Sequence, residues 1–154
     1  MEFLLFLNSN ERIILDILKE ANYKFEENTP LCLIGKNYFG FHKKKSKTIV
    51  ICTENAKSYG GYNLPRARKR NENYKTGMYI RKALRHEAVH AAQSCNNDKP
   101  IELKGKKKFR LNDNKKNAYA GSINFSGNER REYEAYSIED QPRVVIELLN
   151  RYCL

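Results

Sequence analysis

The chain has no tryptophan and only three histidines among its 154 residues. It also has no C-x-x-C pair. Cys32, Cys52, Cys95 and Cys153 are scattered, a spacing that matches no closed structural zinc site and that predicts reduced, buried thiols in an intracellular protein. One pairing is worth naming: Cys95 ends a predicted helix and Cys153 lies at the chain's end, so the two become neighbours if the last helix packs there. Long apolar runs are missing as well. Phe3-Leu4-Leu5-Phe6-Leu7 stops at Asn8, far short of the roughly 20 residues that cross a bilayer. Glu2 stands where a signal peptide carries positive charge. The expectation is a soluble, cytoplasmic protein with no membrane partner.

What is present argues for a folded chain. Hydrophobic residues make up 40%, with seven Phe and ten Tyr, and this length predicts a single domain over 1–154 whose core needs no staples. The formal net charge of +11 permits attraction to nucleic acid, anionic lipid or an acidic protein. Lys and Asn are abundant everywhere, as a coding bias toward A and T produces, so a nucleic-acid surface is the less favoured reading. If the charge has a role, it lies in two clusters: Arg66, Arg68, Lys69 and Arg70, and Lys104, Lys106, Lys107, Lys108 and Arg110. The composition leaves the oligomeric state open.

The chemistry is concentrated in Leu84-Arg85-His86-Glu87-Ala88-Val89-His90-Ala91-Ala92-Gln93. On a helix His86 and His90 lie one turn apart on one face, close enough for both imidazoles to reach one metal ion. Glu87 lies beside them, where it can take a proton from a metal-bound water without being a ligand. Two of the three histidines fall in this pentad; His42 lies far upstream, and no histidine follows shortly downstream to make a three-histidine site.

Downstream stands Arg131-Glu132-Tyr133-Glu134-Ala135-Tyr136. HEAVH followed by E-x-E-A-Y resembles the gluzincin type of zinc metallopeptidase, in which a second helix supplies a Glu in an E-x-x-A or E-x-x-S pattern. The small size and motif order are similar to the minigluzincins. The resemblance covers about a third of the chain, residues 78–95 and 128–137, and implies a zincin-like metallopeptidase domain binding Zn²⁺ and hydrolysing a peptide or protein substrate. By it Glu132 is the third ligand, because Ala135 is the small residue three positions on, with Glu134 as runner-up. The position after the small residue often carries Asp or Asn that supports a ligating His; here it is Tyr136.

The remaining pattern predicts an α+β fold, a small antiparallel sheet packed on the metal-binding helix with further helices at the N- and C-termini. Asn8 with Glu11 three residues on signals a helix start, followed by an apolar face of Ile13, Ile14, Ile17, Leu18 and Ala21. Residues 31–34, 37–41 and 48–52 read as three antiparallel strands. Residues 48–52 are the candidate edge strand for holding extended substrate, by analogy with zincins. Residues 54–76 lack apolar periodicity and suit a flap over the cleft. Gly77 opens the metal helix, and Asn96 to Pro100 closes it. Ser126 with Glu129 gives a second capping box, Gln141-Pro142 kinks that helix or starts a new one, and Val144, Val145, Leu148, Leu149 and Tyr152 face the core.

The mechanism expected is that His86, His90 and Glu132 hold zinc, Glu87 acts as general base, and a tyrosine, Tyr136, Tyr133 or Tyr119, donates to the oxyanion. The alternative from another class is a non-catalytic or regulatory metal-binding protein with a basic nucleic-acid-binding surface.

Overall fold

The computed structural model describes residues 1–62, 70–99, 101, 111–126 and 128–154, and the side chains of these except 70–72 and 124–126. Six α-helices and a small three-stranded mixed sheet make an α+β fold among these residues. The side chains of both basic clusters named above lie outside what is described.

Helix α1 (Ser9–Glu20) begins at Asn8, whose side chain accepts the Glu11 amide. The capping box is only half formed, because the Glu11 carboxylate is fully buried against Arg85. Leu15 is buried and Ile13 is 46% exposed, so the inward face is rotated slightly from the expected one. Strand β1 (Lys24–Glu27) was not expected: its single apolar residue, Phe25, gives too little alternation to signal a strand. It runs parallel to the central strand β3 (Thr48–Ile51), and β2 (Gly40–Lys43) pairs antiparallel on β3's other side. The sheet is therefore mixed rather than wholly antiparallel.

Residues 31–34 form a 3-10 turn, Pro30–Leu33, in place of the expected strand. Pro30 starts it with the torsion a turn needs, and the Asn55 amide donates to the carbonyls of Cys32, Gly35 and Tyr38 around it. A Cys32–Cys52 disulfide fastens this turn to the end of β3. The sheet's two faces follow from strand periodicity: Val50, Cys52 and Phe41 meet the turn through Cys32, while Ile49 and Ile51 join the main core.

That core is organised on α3 (Arg70–Cys95). The helix starts seven residues before Gly77, which lies inside it. A Cβ there would come within 2.8 Å of the Arg81 guanidinium, which reaches across the bare position to donate to the Phe6 carbonyl. Helix α2 (Thr53–Gly60) packs on α3, so the first part of the expected flap is a regular helix; residues 63–69 lie outside the described residues. Helix α4 (Asp113–Ser126) contains Ser126 as its last residue. The N-cap of α5 (Glu129–Ile138) is accordingly Asn128, which accepts from the Arg131 amide, and not Ser126. Pro142 opens a separate helix, α6 (Pro142–Cys153), whose Val144, Val145, Leu148 and Leu149 are buried against α1 and α3.

Because α6 packs along α3, their last turns meet, and Cys95 is bonded to Cys153. All four cysteines are thus bridged, a correction to the expectation of free thiols. No helix among the described residues is long and apolar enough to cross a membrane.

Candidate metal centre

Helix α3 forms the floor of a cleft walled on one side by β2 and on the other by α4 and α5. Its lining includes His42, His86, Glu87, His90, Arg131 and Glu132. His86 and His90 stand one turn apart, and α5 brings Glu132 over both. His86 Nε2 lies 3.2 Å from His90 Nε2 and 3.2 Å from Glu132 Oε2, and His90 Nε2 lies 3.1 Å from Glu132 Oε1. All three side chains are buried. Glu134, the runner-up, is turned away and accepts the Ile101 amide at 2.9 Å.

Do these residues fit a metal? Their tautomers answer. His86 Nδ1 donates to Glu139 Oε2 at 2.8 Å, and His90 Nδ1 donates to Gln93 Oε1 at 2.7 Å. The Gln93 amide is oriented by Arg131 at both ends: its NH₂ donates to the Arg131 carbonyl and its oxygen accepts from Arg131 Nε. With the proton of each neutral ring on Nδ1, both Nε2 atoms present lone pairs, and they converge with a carboxylate at about 3 Å. Such a cluster is repulsive without a cation among its donors. Four tetrahedral ligands about 2.0–2.1 Å from a zinc ion are about 3.3–3.4 Å apart; the two Nε2 atoms stand at nearly that separation, and Glu132 meets each of them with a different carboxylate oxygen.

The electrostatics agree. Burial pulls the His86 pKa down, but the Glu132 and Glu139 carboxylates outweigh it and raise it well above the ordinary imidazole value. Burial pushes Glu132 up, while the two histidines facing it, favouring its charged form, hold its carboxyl far below the usual range. The site draws positive charge.

Glu87 is buried and lines the cleft, yet its carboxylate has no hydrogen-bond partner among the described residues. Burial raises its pKa, against the pull of His86 and His90. Room for it comes from Gly40: a Cβ there would lie 3.0 Å from Glu87 Cγ.

Of the three tyrosines, none lines the cleft. Tyr136 packs its ring against that of His86, centroids 4.4 Å apart and planes tilted by 57°, and pairs its hydroxyl with Ser122, and Tyr119 packs on Tyr133 and Tyr136. The support that an Asp or Asn at 136 would give comes instead from Glu139. Sequence reasoning passed over Glu139 and Gln93, although spacing marks both: Glu139 lies seven residues after Glu132, and Gln93 seven after His86, two helical turns in each case. His42 also lines the cleft, with its ring 6.4 Å from that of His90; burial and the neighbouring charges of His90 and Arg131 lower its pKa to about 3.

A family model described as a domain of unknown function (DUF8637) matches residues 3–154. The chain belongs to that family. No curated protein and no solved structure matches it. The DUF8637 match extends over both the HEAVH helix and α5, so every residue of the candidate metal centre lies within it.

The expected substrate strand needs correcting. β3 is central, with all four residues buried; the edge strand at the cleft is β2. The Cys52 amide donates to the Phe39 carbonyl, which makes that pair hydrogen-bonded, and alternation then turns the main-chain groups of Gly40 and His42 away from β3, toward the open edge.

Proposed function

We propose that this chain is a zinc-dependent metallopeptidase acting on peptide or protein substrates. The observation that carries the reading is Glu87, a buried carboxylate without a hydrogen-bond partner among the described residues, facing the cleft beside three converging lone-pair donors. A metal held only for structure has no use for a free base there, and the Glu87 oxygens are not sealed in the interior, so they can meet water in the cleft.

His86, His90 and Glu132 would hold the metal through Nε2, Nε2 and a carboxylate oxygen, a donor set with one position open, as catalytic zinc requires. Bound there, zinc would supply a Lewis acid and water of lowered pKa. The chain's own residues do the rest. Glu139 and Gln93 keep the histidine protons on Nδ1. The open edge of β2 offers the Gly40 and His42 amides and carbonyls to an extended peptide, aligning its backbone over the floor. Glu87 accepts a proton from water in the cleft and returns it to the departing amine nitrogen; its raised pKa brings it closer to the working pH than an ordinary carboxylate.

The test is metal content of the purified protein and of His86→Ala, with cleavage of a diverse peptide library by the parent and by Glu87→Gln. The reading expects zinc in the parent and in Glu87→Gln, little in His86→Ala, and cleavage by the parent only. Equal cleavage by the parent and Glu87→Gln would end it. A cytoplasmic location further requires both disulfides to be reduced in the cell, since such bonds persist in oxidising compartments; alkylation of free thiols in fresh cell extracts reads this directly.

A further inference from the structure

Resting on the peptidase reading, we infer that His42 donates a hydrogen bond to the substrate oxygen on which negative charge develops, with Tyr23 as the positioning residue that fixes its tautomer. His42 is the one histidine that the metal centre does not use. It lies on the same face of β2 as Gly40, two residues further along, because side chains alternate on a strand. Gly40 faces Glu87 and His42 faces His90, the two rings lying within 25° of parallel. The imidazole therefore stands beside a ligand, two residues along from the position that faces the base, on the wall along which an extended substrate would lie.

The ring's two nitrogens are not equivalent. Nε2 is 3.3 Å from the Tyr23 hydroxyl. Tyr23 is buried, and its phenol, pushed up to about 12 chiefly by that burial, keeps its proton. The Tyr23 hydroxyl has no other acceptor among the described residues, so it donates to Nε2 and the ring's proton is on Nδ1. That atom has no partner among the described residues and is not sealed in the interior, on a residue that lines the cleft. The other polar groups nearby are committed. Arg131 spends its nitrogens on Gln93, the His90 carbonyl and Asp98. Lys44 is paired with Asp98, and the hydroxyls of Ser122 and Tyr136 are paired with each other. His42 supplies a fixed N–H of the kind that stabilises an oxyanion.

The probe is N-phosphoryl-leucyl-tryptophan, whose charged phosphoryl oxygens imitate that oxyanion, compared with the plain dipeptide leucyl-tryptophan. Calorimetry on the zinc-loaded full chain gives both affinities, and elemental analysis gives bound zinc, for the parent, His42→Ala, His42→Gln and Tyr23→Phe. The expected result is unchanged zinc and dipeptide affinity throughout. Affinity for the phosphoryl compound falls about 100-fold in His42→Ala, about tenfold in Tyr23→Phe, and is partly restored in His42→Gln, which keeps an N–H donor. Equal affinity for the phosphoryl compound in the parent and both His42 variants overturns the inference, as does loss of zinc in both. Should the parent prefer the phosphoryl compound through His42 yet cleave no peptide, the peptidase reading fails while the donor assignment stands.

Discussion

Glu139 and His86 are 53 residues apart in sequence, and their Oε2 and Nδ1 atoms meet at 2.8 Å. The other carboxylate oxygen of Glu139 lies 3.2 Å from Lys115 and 3.6 Å from Lys82. Two cations thus flank the carboxylate that fixes the His86 proton. Removing such support costs metal affinity about 10- to 100-fold. Glu139→Ala should weaken zinc binding by that factor, measured by competition with a chromophoric chelator, and Glu139→Gln should weaken it less because an amide oxygen still accepts from Nδ1. Unchanged affinity in both would reduce Glu139 to an ordinary ion pair.

The contrast between Glu132 and Glu139 shows what could be read from the sequence. His86, Glu87 and His90 are legible because a helical period of 3.6 converts their spacing directly into a shared face. Glu132 is legible only through a resemblance, since nothing in its local pattern says that α5 crosses α3. Glu139 and Gln93 carry a periodic signal, but a polar residue two turns from a ligand is common on any helix. His42 and Gly40 depend on which strand forms the sheet's edge, and that turned on β1, whose Lys24-Phe25-Glu26-Glu27 has one apolar side chain. The disulfides depend wholly on packing. Cys95 and Cys153 meet because the apolar face of α6 lies along α3, and Cys32 and Cys52 meet because Asn55 folds the 3-10 turn back on the sheet.

Gly40 offers a test of how tightly Glu87 is placed. Beyond the 3.0 Å approach to Cγ, a Cβ at 40 would lie 3.3 Å from Glu87 Oε1 and 3.3 Å from the Val50 carbonyl. Glu87 must give way, because Val50 belongs to the central strand. Displacements of about 1 Å can cost 100-fold in rate. Gly40→Ala should keep its zinc and lose about tenfold in kcat, and Gly40→Val should lose more. Full activity in Gly40→Val would mean that Glu87 reaches its working position from elsewhere.

Glu27 predicts an acid-limb effect remote from the metal. Its carboxylate accepts from the amides of Glu2 and Phe3 and from the Thr53 hydroxyl. Burial pushes its pKa up, but these hydrogen bonds, that of Thr53 foremost, outweigh burial and hold it below the ordinary value. A carboxyl whose pKa is lower in the folded than in the unfolded state stabilises fully above the unfolded value, and that stabilisation is lost as pH falls through the folded one. With a chelator present, Glu27→Gln should melt roughly 5 °C below the parent at pH 7, the gap closing toward pH 3. A gap independent of pH would show that shape rather than charge matters at this position.

The two disulfides should differ in what they contribute. Cys95–Cys153 closes a sequence separation of 58 and Cys32–Cys52 one of 20. On chain-entropy grounds the first restricts the unfolded state by about 4 kcal/mol and the second by about 3 kcal/mol. The first also ties the last turn of α3 to α6, five residues beyond His90, whereas the second fastens a peripheral turn to the sheet. Cys153→Ser, leaving Cys95 free, should therefore lower the denaturant midpoint more than Cys32→Ser and should also weaken zinc binding. A phosphine reductant, which unlike a small thiol does not compete for zinc, should reproduce both effects in the parent. Equal midpoints for the two variants, with zinc affinity unchanged, would show that α6 stays docked on α3 through Val145, Leu148 and Leu149 alone, and that the bond adds nothing to the ordering of His90.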